Sequence, residues 1–307
     1  MQHSPVIEGN QADRPPAANH TMVFHHPGGQ TIRAHSHPAW NVVVPLSGQI
    51  NWSTDRDPGQ RAPGAVFPPN VAYRTGSGAG HTSVFIDPWH LGLGPGSGRP
   101  IALDFDSVRH LSAAWSPDQV TNPDESARDV VVLLRRRDLL PSPVEIDRRV
   151  VAALRDLASA ESVGDIAAAV GLSPSRLRAL VQVQTGTSPM HLRRWQRLRT
   201  AILSLPAKPI ALAAIDAGFA DQAHLTRTAV RLLGQTPGEL ARLLGRVSAV
   251  ATPTSGRFWL LPRSRCQVHH SIAAAANSLH ERFVQDQPAP SPDDDLELQV
   301  QPDRTQR

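Results

Sequence analysis

The spacing of apolar residues changes along the chain, and these changes divide it into regions. From Met22 to about Asp87, short runs rich in β-branched and aromatic residues alternate with Gly, Pro and Asp turns. The clearest runs are WNVVVPL (40–46), GQINWS (48–53), GAVF (64–67) and TSVFID (82–87). Runs of this length between turn residues are typical of strands. We therefore predict a small antiparallel barrel or sandwich within residues 21–100.

Helical spacing follows the strand-like region. A weak helical pattern covers about 103–115, and a stronger one at 124–139 places an apolar stretch between charged ends. We assign 101–144 to a helical connector and possible dimerisation region. Pro141 and Pro143 interrupt the pattern, and residues 145–247 then have the apolar period of helices throughout. The predicted fold class is α+β, an amino-terminal β domain followed by an all-α domain.

The two ends of the chain have a different composition. Residues 1–20 are polar and rich in Pro, and residues 248–307 finish in the acidic, Pro- and Gln-rich sequence QPAPSPDDDLELQVQPDRTQR. Segments with so little apolar surface cannot offset the conformational entropy of folding. We expect a disordered arm and a disordered tail.

An internal repeat gives the helical region its most specific signal. Two segments have similar sequences, VGDIAAAVGLSPSRLRALVQVQTGTSP (163–189) and IALAAIDAGFADQAHLTRTAVRLLGQTP (210–237). Gly171 precedes its counterpart Gly218 by 47 positions, whereas Gly186 precedes Gly234 by 48. The difference indicates a single-residue insertion in the turn of the second unit.

Each repeat unit has the parts of a helix-turn-helix. In the first unit Ser162 and Asp165 form a capping pair, Gly171 ends the first helix, and Ser173 caps the second helix with Pro174 at its first position. In the second unit the chain turns at Gly218 and restarts at Asp221. We therefore predict two helix-turn-helix units joined by the helix SPMHLRRWQRLRTAILSL (188–205).

This arrangement resembles the AraC/XylS family of transcription regulators over about a hundred residues. The shared motifs are G-x-S-P at 186–189, R-L-x-x-A at 197–201, G-F at 218–219 and G-x-T-P at 234–237. The resemblance implies a double helix-turn-helix that places its two recognition helices in successive major grooves of double-stranded DNA, about 34 Å apart. Val181, Ala229 and Leu192 depart from the family, in which aromatic residues are frequent at these positions.

The resemblance also implies roles for residues on the two reading faces. Arg178 suits a bidentate contact to guanine, and Gln222 suits one to adenine. Arg176, Arg193 and Arg194 are expected near phosphates, where they give affinity without sequence information, and His224 is a weaker base-reading candidate. The full set of expected DNA-binding residues is Ser175, Arg176, Arg178, Ala179, Gln222, Ala223, His224, Arg227, Arg193 and Arg194.

Charge and composition agree with this interpretation. Residues 145–247 carry 14 Lys and Arg against 8 acidic residues, whereas the regions on either side are each close to neutral. A local positive excess suits a polyanionic partner, although an ordinary solvated surface can carry it as well. The single cysteine, Cys266, and the lack of an apolar run of membrane-spanning length favour a cytoplasmic, nucleoid-associated protein without a membrane segment.

The β-rich region resembles the cupin family in the segment HSHPAWNVVVPLSGQ (35–49). His35, His37 and Gly48 match the first cupin motif, but Asn41 stands where the metal-binding Glu would be, and Tyr73 stands where a last His ligand would fall. Two imidazoles are fewer than the ligands of an enzymatic metal site. We therefore expect no metal and no cofactor, but a pocket for a small-molecule effector with His35, His37, Trp40, Asn41 and Tyr73 as wall residues.

The sequence thus favours a DNA-binding transcription regulator whose amino-terminal cupin-like domain senses a small molecule. Expected partners are double-stranded DNA, the effector, RNA polymerase if the protein is an activator, and a second copy of the chain in a homodimer. The alternative is a cupin-type metal-dependent enzyme with an appended helical domain. Asn41 and Tyr73 argue against this alternative, and no other constellation of acid, base and nucleophile is evident.

Overall fold

A computed structural model describes residues 21–96, 98–114, 123–245, 247–252 and 257–262. The predicted arm at 1–20 and the tail beyond residue 262 lie outside the described residues. Within the described part, strands occupy the amino-terminal third, helices follow to residue 245, and a two-stranded hairpin comes last. The α+β fold class is confirmed.

Nine short strands lie in the described part of the amino-terminal domain. In chain order they are β1 (Thr21–Pro27), β2 (Thr31–His35), β3 (Trp40–Pro45), β4 (Ile50–Ser53), β5 (Gln60–Ala62), β6 (Gly64–Phe67), β7 (Tyr73–Ser77), β8 (Gly80–Ile86) and β9 (Ile101–Leu103). They form a five-stranded sheet in the order β1-β8-β3-β6-β9 and a four-stranded sheet in the order β2-β7-β4-β5. Every described pair is antiparallel. The predicted cupin-like architecture therefore has an open barrel of two sheets.

Strand β3 shows how the five-stranded sheet is covered on both faces. All six of its residues are buried. Alternate side chains of a strand point to opposite faces, and Trp40, Val42 and Val44 pack in one apolar cluster with helices α1 (Phe105–Ala114) and α2 (Pro123–Arg136). Val43, on the other face, joins the cluster between the sheets. The two helices of the predicted connector thus form an outer layer on the β domain.

The remaining helices form the carboxyl-terminal domain. They are α3 (Arg148–Arg155), α4 (Val163–Ala169), α5 (Pro174–Thr185), α6 (Pro189–Ser204), α7 (Ile210–Asp216), α8 (Gln222–Leu233) and α9 (Pro237–Gly245). Helices α4 and α7 each have seven residues, and α5 and α8 each have twelve. The repeat is therefore a structural repeat, and the inserted residue lies in the turn between α7 and α8.

The caps of these helices are those expected from the sequence. Ser162 and Asp165 form a reciprocal capping box at the start of α4. Ser173 and Asp221 cap the recognition helices α5 and α8, each accepting a hydrogen bond from a backbone N–H three residues on. Gly186 and Gly234 end the same two helices with φ of 73° and 69°, in the left-handed conformation that glycine adopts at low cost.

One short element falls inside the range predicted as a disordered tail. Strands β10 (Val247–Thr252) and β11 (Arg257–Pro262) pair as an antiparallel hairpin directly after α9. The apolar run FWLLP within β11 is the local sequence feature that fits a strand.

The two domains share their hydrophobic cores. Phe24 and Phe85 of the five-stranded sheet belong to the same buried cluster as the core of the second helix-turn-helix unit. Trp89, which follows β8, is buried in the core of the first unit. Backbone contacts join the same surfaces, since the Ser36 N–H donates to the Arg231 carbonyl at 3.1 Å. The β domain is therefore packed against both units.

Candidate nucleic-acid interface and interdomain cavity

The first recognition helix, α5, presents an exposed polar face. Ser175, Arg176, Arg178 and Ala179 are all exposed, whereas Leu177 and Val181 on the other side of the helix are buried. The helix starts with Ser173 as cap and Pro174 at the first turn. The helix N-terminus and the two arginines provide the positive potential and the donors that a phosphate backbone attracts.

The second recognition helix, α8, has the same organisation. Gln222, Ala223 and Arg227 are exposed, and Leu225 and Ala229 are buried. His224 is half-buried because its ring lies edge-on against Phe219, with 5.2 Å between the ring centroids. The His224 side chain therefore packs partly against the turn before α8.

Helix α6 joins the two units through hydrogen bonds as well as packing. Arg197 donates from Nε to the Ala158 carbonyl at 3.1 Å and from Nη1 to the Gly218 carbonyl at 2.8 Å. The first carbonyl lies between α3 and α4, just before the first unit, and the second lies in the turn of the second unit. The Gln196 amide donates to the Leu154 carbonyl at 2.7 Å. These bonds tie α3, the segment before the first unit and the turn of the second unit to one 16-residue helix, which is about 24 Å long.

Arg193 and Arg194, which both lie on α6, differ in accessibility. Arg194 is exposed. Arg193 is buried and donates to the carbonyls of Ala160 and Glu161, which lie just before α4. The expected phosphate contact does not suit Arg193 in this structure, because its guanidinium is already used to hold the start of the first unit.

A buried ion pair connects the β domain to the same helix. The Asp87 carboxylate, directly after β8, lies 2.7 Å from Nη1 of Arg199, and the two side chains are only 3% and 9% exposed. The other carboxylate oxygen accepts a hydrogen bond from Nε1 of Trp195 at 3.1 Å. Both partners are on α6, so the sheet is fixed to the helix that sets the relative position of the recognition helices.

A cavity lies between the β domain and the second helix-turn-helix unit. Its polar lining from the strands includes His26, His35, Asn41, Tyr73 and His81, and its apolar lining includes Phe24, Ile32 and Phe85. Leu233, Gln235 and Leu240 close it from the helical side. The volume open to a water molecule is about 20 Å³, which is enough for one water.

Three of the expected pocket residues form a buried hydrogen-bond chain. Nδ1 of His37 donates to the Ala39 carbonyl at 2.9 Å, so in the neutral ring Nε2 is an acceptor. Nε2 accepts from the Tyr73 hydroxyl at 2.7 Å, and the hydroxyl oxygen accepts from Nδ2 of Asn41 at 2.8 Å. Tyr73 therefore occupies the nitrogen of His37 that a metal would need.

The pocket prediction and the structure differ for two residues. Trp40 lies on the opposite face of β3, packs against the outer helices and donates from Nε1 to the Gly94 carbonyl at 2.9 Å. It does not line the cavity, because the period of two along the strand separates it from Asn41. His37 lies behind Tyr73, as part of the hydrogen-bond chain. His35, Asn41 and Tyr73 do line the cavity.

Burial keeps the histidines around the cavity neutral. It lowers the pKa of His35 and of His81 from 6.5 to about 4, and it lowers the pKa of His26 and His37 well below 6.5. Burial would strip an imidazolium of most of the hydration that stabilises its charge. Burial also raises the pKa of the Tyr73 phenol. All of these side chains are uncharged hydrogen-bonding groups near neutral pH.

Comparison with known proteins decides what the helical half is. Residues 166–243 match the model of a helix-turn-helix domain family, and this range covers both recognition helices and α6. Together with the motifs at 186–189, 197–201 and 234–237, the match identifies the domain. Residues 166–243 form an AraC-type helix-turn-helix domain. No curated protein matches the chain.

Solved structures extend the comparison beyond the AraC-type domain. ToxT from Vibrio cholerae is 12% identical, with a TM-score of 0.50 over 73% of this chain and 97% of that chain. ToxT bound to an unsaturated fatty acid is 10% identical, with a TM-score of 0.50 over 75% and 97%. An AraC-type transcription regulator from Chromobacterium violaceum is 26% identical, with a TM-score of 0.30 over 31% and 90%. At such low identity the ToxT matches show a shared two-domain fold.

Several residues around the AraC-type domain were not expected from the sequence. Asp87 and Arg199 form the ion pair between domains, and His26 and His81 line the cavity. A carboxylate directly after the apolar run TSVFI is the one local signal for Asp87, since an acid in such a place needs a partner.

Within the described ranges, the helices are all too short or too polar to cross a bilayer.

Proposed function

We propose that the chain is a ligand-responsive, sequence-specific transcription regulator. The observation that carries this proposal is the pair of recognition helices, each with a side-chain N-cap and a C-terminal glycine, that expose one polar face and both pack against α6. A rigid connection of this kind lets two helices enter successive major grooves on one face of a duplex. The protein would act in the cytoplasm, on nucleoid DNA.

Base reading is assigned to a few side chains on these helices. Arg178 on α5 is proposed to contact guanine O6 and N7, and Gln222 on α8 to contact adenine N6 and N7, with Arg227 as a further reading residue. Ser175, Ala179 and Ala223 lie on the same faces, and the two alanines add apolar contact without hydrogen bonds. Arg176 and Arg194 are proposed to contact phosphates.

The β domain is proposed to bind a small effector and to pass its effect to the DNA-binding domain. The fatty acid in the ToxT structure supports a ligand-binding role for this fold. The cavity shares a wall with the second helix-turn-helix unit, and Asp87 ties β8 to α6. A ligand that changes the fit between the domains would therefore change how the recognition helices are presented.

Further partners follow from this role. An activator would contact RNA polymerase at the promoter, and two copies of the chain would bind repeated half-sites as a homodimer.

The enzyme alternative has little chemical support, since Asn41 replaces the metal-binding carboxylate and Tyr73 already occupies a nitrogen of His37.

Protection mapping on selected DNA tests the proposal. DNA fragments would be enriched from a random pool by the full-length protein and then mapped by hydroxyl-radical footprinting. We expect two protected major-groove segments about 10 base pairs apart on one face of the duplex. Enrichment of no common sequence would contradict sequence-specific binding.

Two neighbouring arginines provide a matched pair of variants. Arg178→Ala should lower discrimination between the selected site and a site mutated at one base pair by about 1 to 3 kcal/mol. Arg176→Ala should weaken binding to both sites equally and reduce the salt dependence by about one ion. Titration of both DNAs at several salt concentrations measures both effects. Unchanged discrimination by Arg178→Ala would refute the base-reading assignment.

A further inference from the structure

The cavity wall contains buried polar atoms that have no hydrogen-bond partner in the described structure. They are Oδ1 of Asn41, Nδ1 of His26 and Nδ1 of His81. The three side chains belong to residues that are only 2%, 5% and 1% exposed, and all three line the cavity. Leaving such groups unpaired costs free energy, so their joint presence at one cavity indicates a site that receives a hydrogen-bonding molecule.

The hydrogen-bond chain behind the cavity fixes the orientation of Asn41. The Tyr73 hydroxyl donates its hydrogen bond to Nε2 of His37, so the hydroxyl oxygen must accept from Nδ2 of Asn41. Oδ1 of Asn41 is therefore the atom left for the cavity, and an amide oxygen can only accept. A ligand that satisfies it must bring an O–H or N–H donor.

His35 presents a second acceptor by the same reasoning. Its Nδ1 lies 2.8 Å from the Arg33 carbonyl and must donate to it. In the neutral ring Nε2 is then an acceptor. The rings of His26 and His81, which face each other across β1 and β8, stack with 4.5 Å between centroids and add two nitrogens that can donate or accept.

The charge of the wall limits the class of ligand. Among the described residues that line the cavity, none carries a charge near neutral pH, because the histidines are neutral and the rest are Asn, Gln, Ser, Thr, Tyr and apolar residues. A carboxylate would be buried without a cation and would leave Oδ1 of Asn41 unpaired. An ammonium ion would be buried without a counter-charge.

We propose that the cavity is the effector site and that it takes a small, uncharged, hydroxyl-bearing compound whose O–H donates to Asn41. This inference rests on the proposed sensor role of the β domain. Phe24, Phe85 and Leu240 contact the apolar part of the ligand. A molecule larger than water enters as Leu233, Gln235 and Leu240 move away from the strands, so binding opens the contact between the β domain and the second helix-turn-helix unit.

A set of probes of one shape but different charge tests the ligand class. Benzyl alcohol, benzaldehyde, benzoate and benzylammonium share a ring with one substituent carbon, and only benzyl alcohol is an uncharged donor. With full-length protein and no DNA, benzyl alcohol at one hundred times its Kd should raise the melting midpoint by roughly 5 °C. The other three should give shifts at least threefold smaller at the same concentration. Equal or larger shifts with benzoate or benzylammonium, or no shift with benzyl alcohol, would overturn the inference.

Two variants locate the binding at the cavity. His81→Phe and His26→Phe keep the ring stack but remove an unpaired nitrogen, so the ligand-free variants should melt no lower than the wild type, and the shift with benzyl alcohol should fall at least threefold. His110→Gln, an exposed histidine on α1, should keep the full shift. A full shift in both Phe variants would place binding elsewhere and overturn the inference.

The readout separates this inference from the proposed function. Ligand binding is measured without DNA, and enrichment of a DNA sequence is measured without ligand. Sequence-specific DNA binding by a protein that ignores benzyl alcohol would leave the regulator proposal intact and refute the ligand class. Benzyl alcohol binding by a protein that selects no DNA would do the reverse.

Discussion

At the scale of single residues, Asp87 joins the two domains through its buried ion pair with Arg199. Replacing it with Asn keeps an oxygen for Nε1 of Trp195 but leaves the Arg199 guanidinium buried without a carboxylate. Removing one partner of a buried ion pair costs about 3 to 5 kcal/mol. We expect Asp87→Asn to lower the free energy of unfolding by that amount, measured by urea denaturation of full-length protein.

The ion pair of Lys208 and Asp216 provides the control. Its two atoms are 2.5 Å apart, but both side chains are about half exposed, at 46% and 50%. Water and salt screen such a pair, so Asp216→Asn should cost about 0 to 1 kcal/mol. Equal losses in the two variants would mean that the contact at Asp87 is not the buried pair described above.

The buried histidines predict a loss of stability in weak acid. The pKa of His35 and of His81 is about 4 in the folded protein and about 6.5 in the unfolded chain. Above pH 6.5 the two histidines are neutral in both the folded and the unfolded state, and the folded state keeps its full stability. As the pH falls from 6.5 towards 4, only the unfolded chain takes up protons, so unfolding becomes easier.

Each of these histidines should contribute a loss on the order of 3 kcal/mol by about pH 4. His26 and His37 act in the same direction, since burial lowers the pKa of both. Urea denaturation at a series of pH values through this window measures the slope, and His81→Phe should reduce it. A stability that stays constant from pH 6.5 to 4 would show that the histidines are not buried as described.

At the scale of elements, the helical half could be predicted because its signals are local. Ser162, Ser173, Asp221 and the glycines that end α5 and α8 act within a few residues of their own position. The apolar period then assigns each helix a buried face. The sheets could be predicted as strands, but the face of a strand that meets a cavity depends on pairing between distant segments. For this reason the sequence predicts Trp40 in the pocket and gives no signal for His26 and His81 there.

Two glycines with similar backbone conformation show how the elements meet. Gly171 has φ of +66° and nothing within 4 Å of an added Cβ. Gly234 has φ of +69°, but an added Cβ would lie 2.5 Å from the Arg33 carbonyl oxygen and 2.7 Å from Cγ2 of Ile32. Both neighbours belong to β2, so the end of α8 can approach the strand only without a side chain.

Alanine at these two positions should therefore have different costs. Gly171→Ala should lose about 1 to 2 kcal/mol from the left-handed conformation alone. Gly234→Ala should lose that amount and about 1 to 3 kcal/mol more, because the strand must shift to admit the methyl group. Urea denaturation of both variants gives the comparison. Losses that agree within 0.5 kcal/mol, roughly the scatter of surface substitutions, would contradict the close contact between α8 and β2.

At the scale of the whole molecule, the sequence suggested two separate domains, and the structure shows two domains with common cores. Met22, Phe24 and Phe85 complete the core of the second unit, and Trp89 is buried in the core of the first. These contacts join residues more than sixty positions apart in the chain, and no local pattern encodes them.

Common cores imply that the two domains unfold together. Calorimetry of the full-length protein should give one transition, with equal calorimetric and van't Hoff enthalpies, and circular dichroism and fluorescence should report the same midpoint. Trp89→Ala should lower that single midpoint through a loss of about 3 to 5 kcal/mol, since it removes a large buried side chain. Val183→Ala, at a residue that is 76% exposed, should change stability by no more than about 0.5 kcal/mol. Two resolved transitions, with Trp89→Ala shifting only one of them, would show that the β domain and the AraC-type domain are energetically independent.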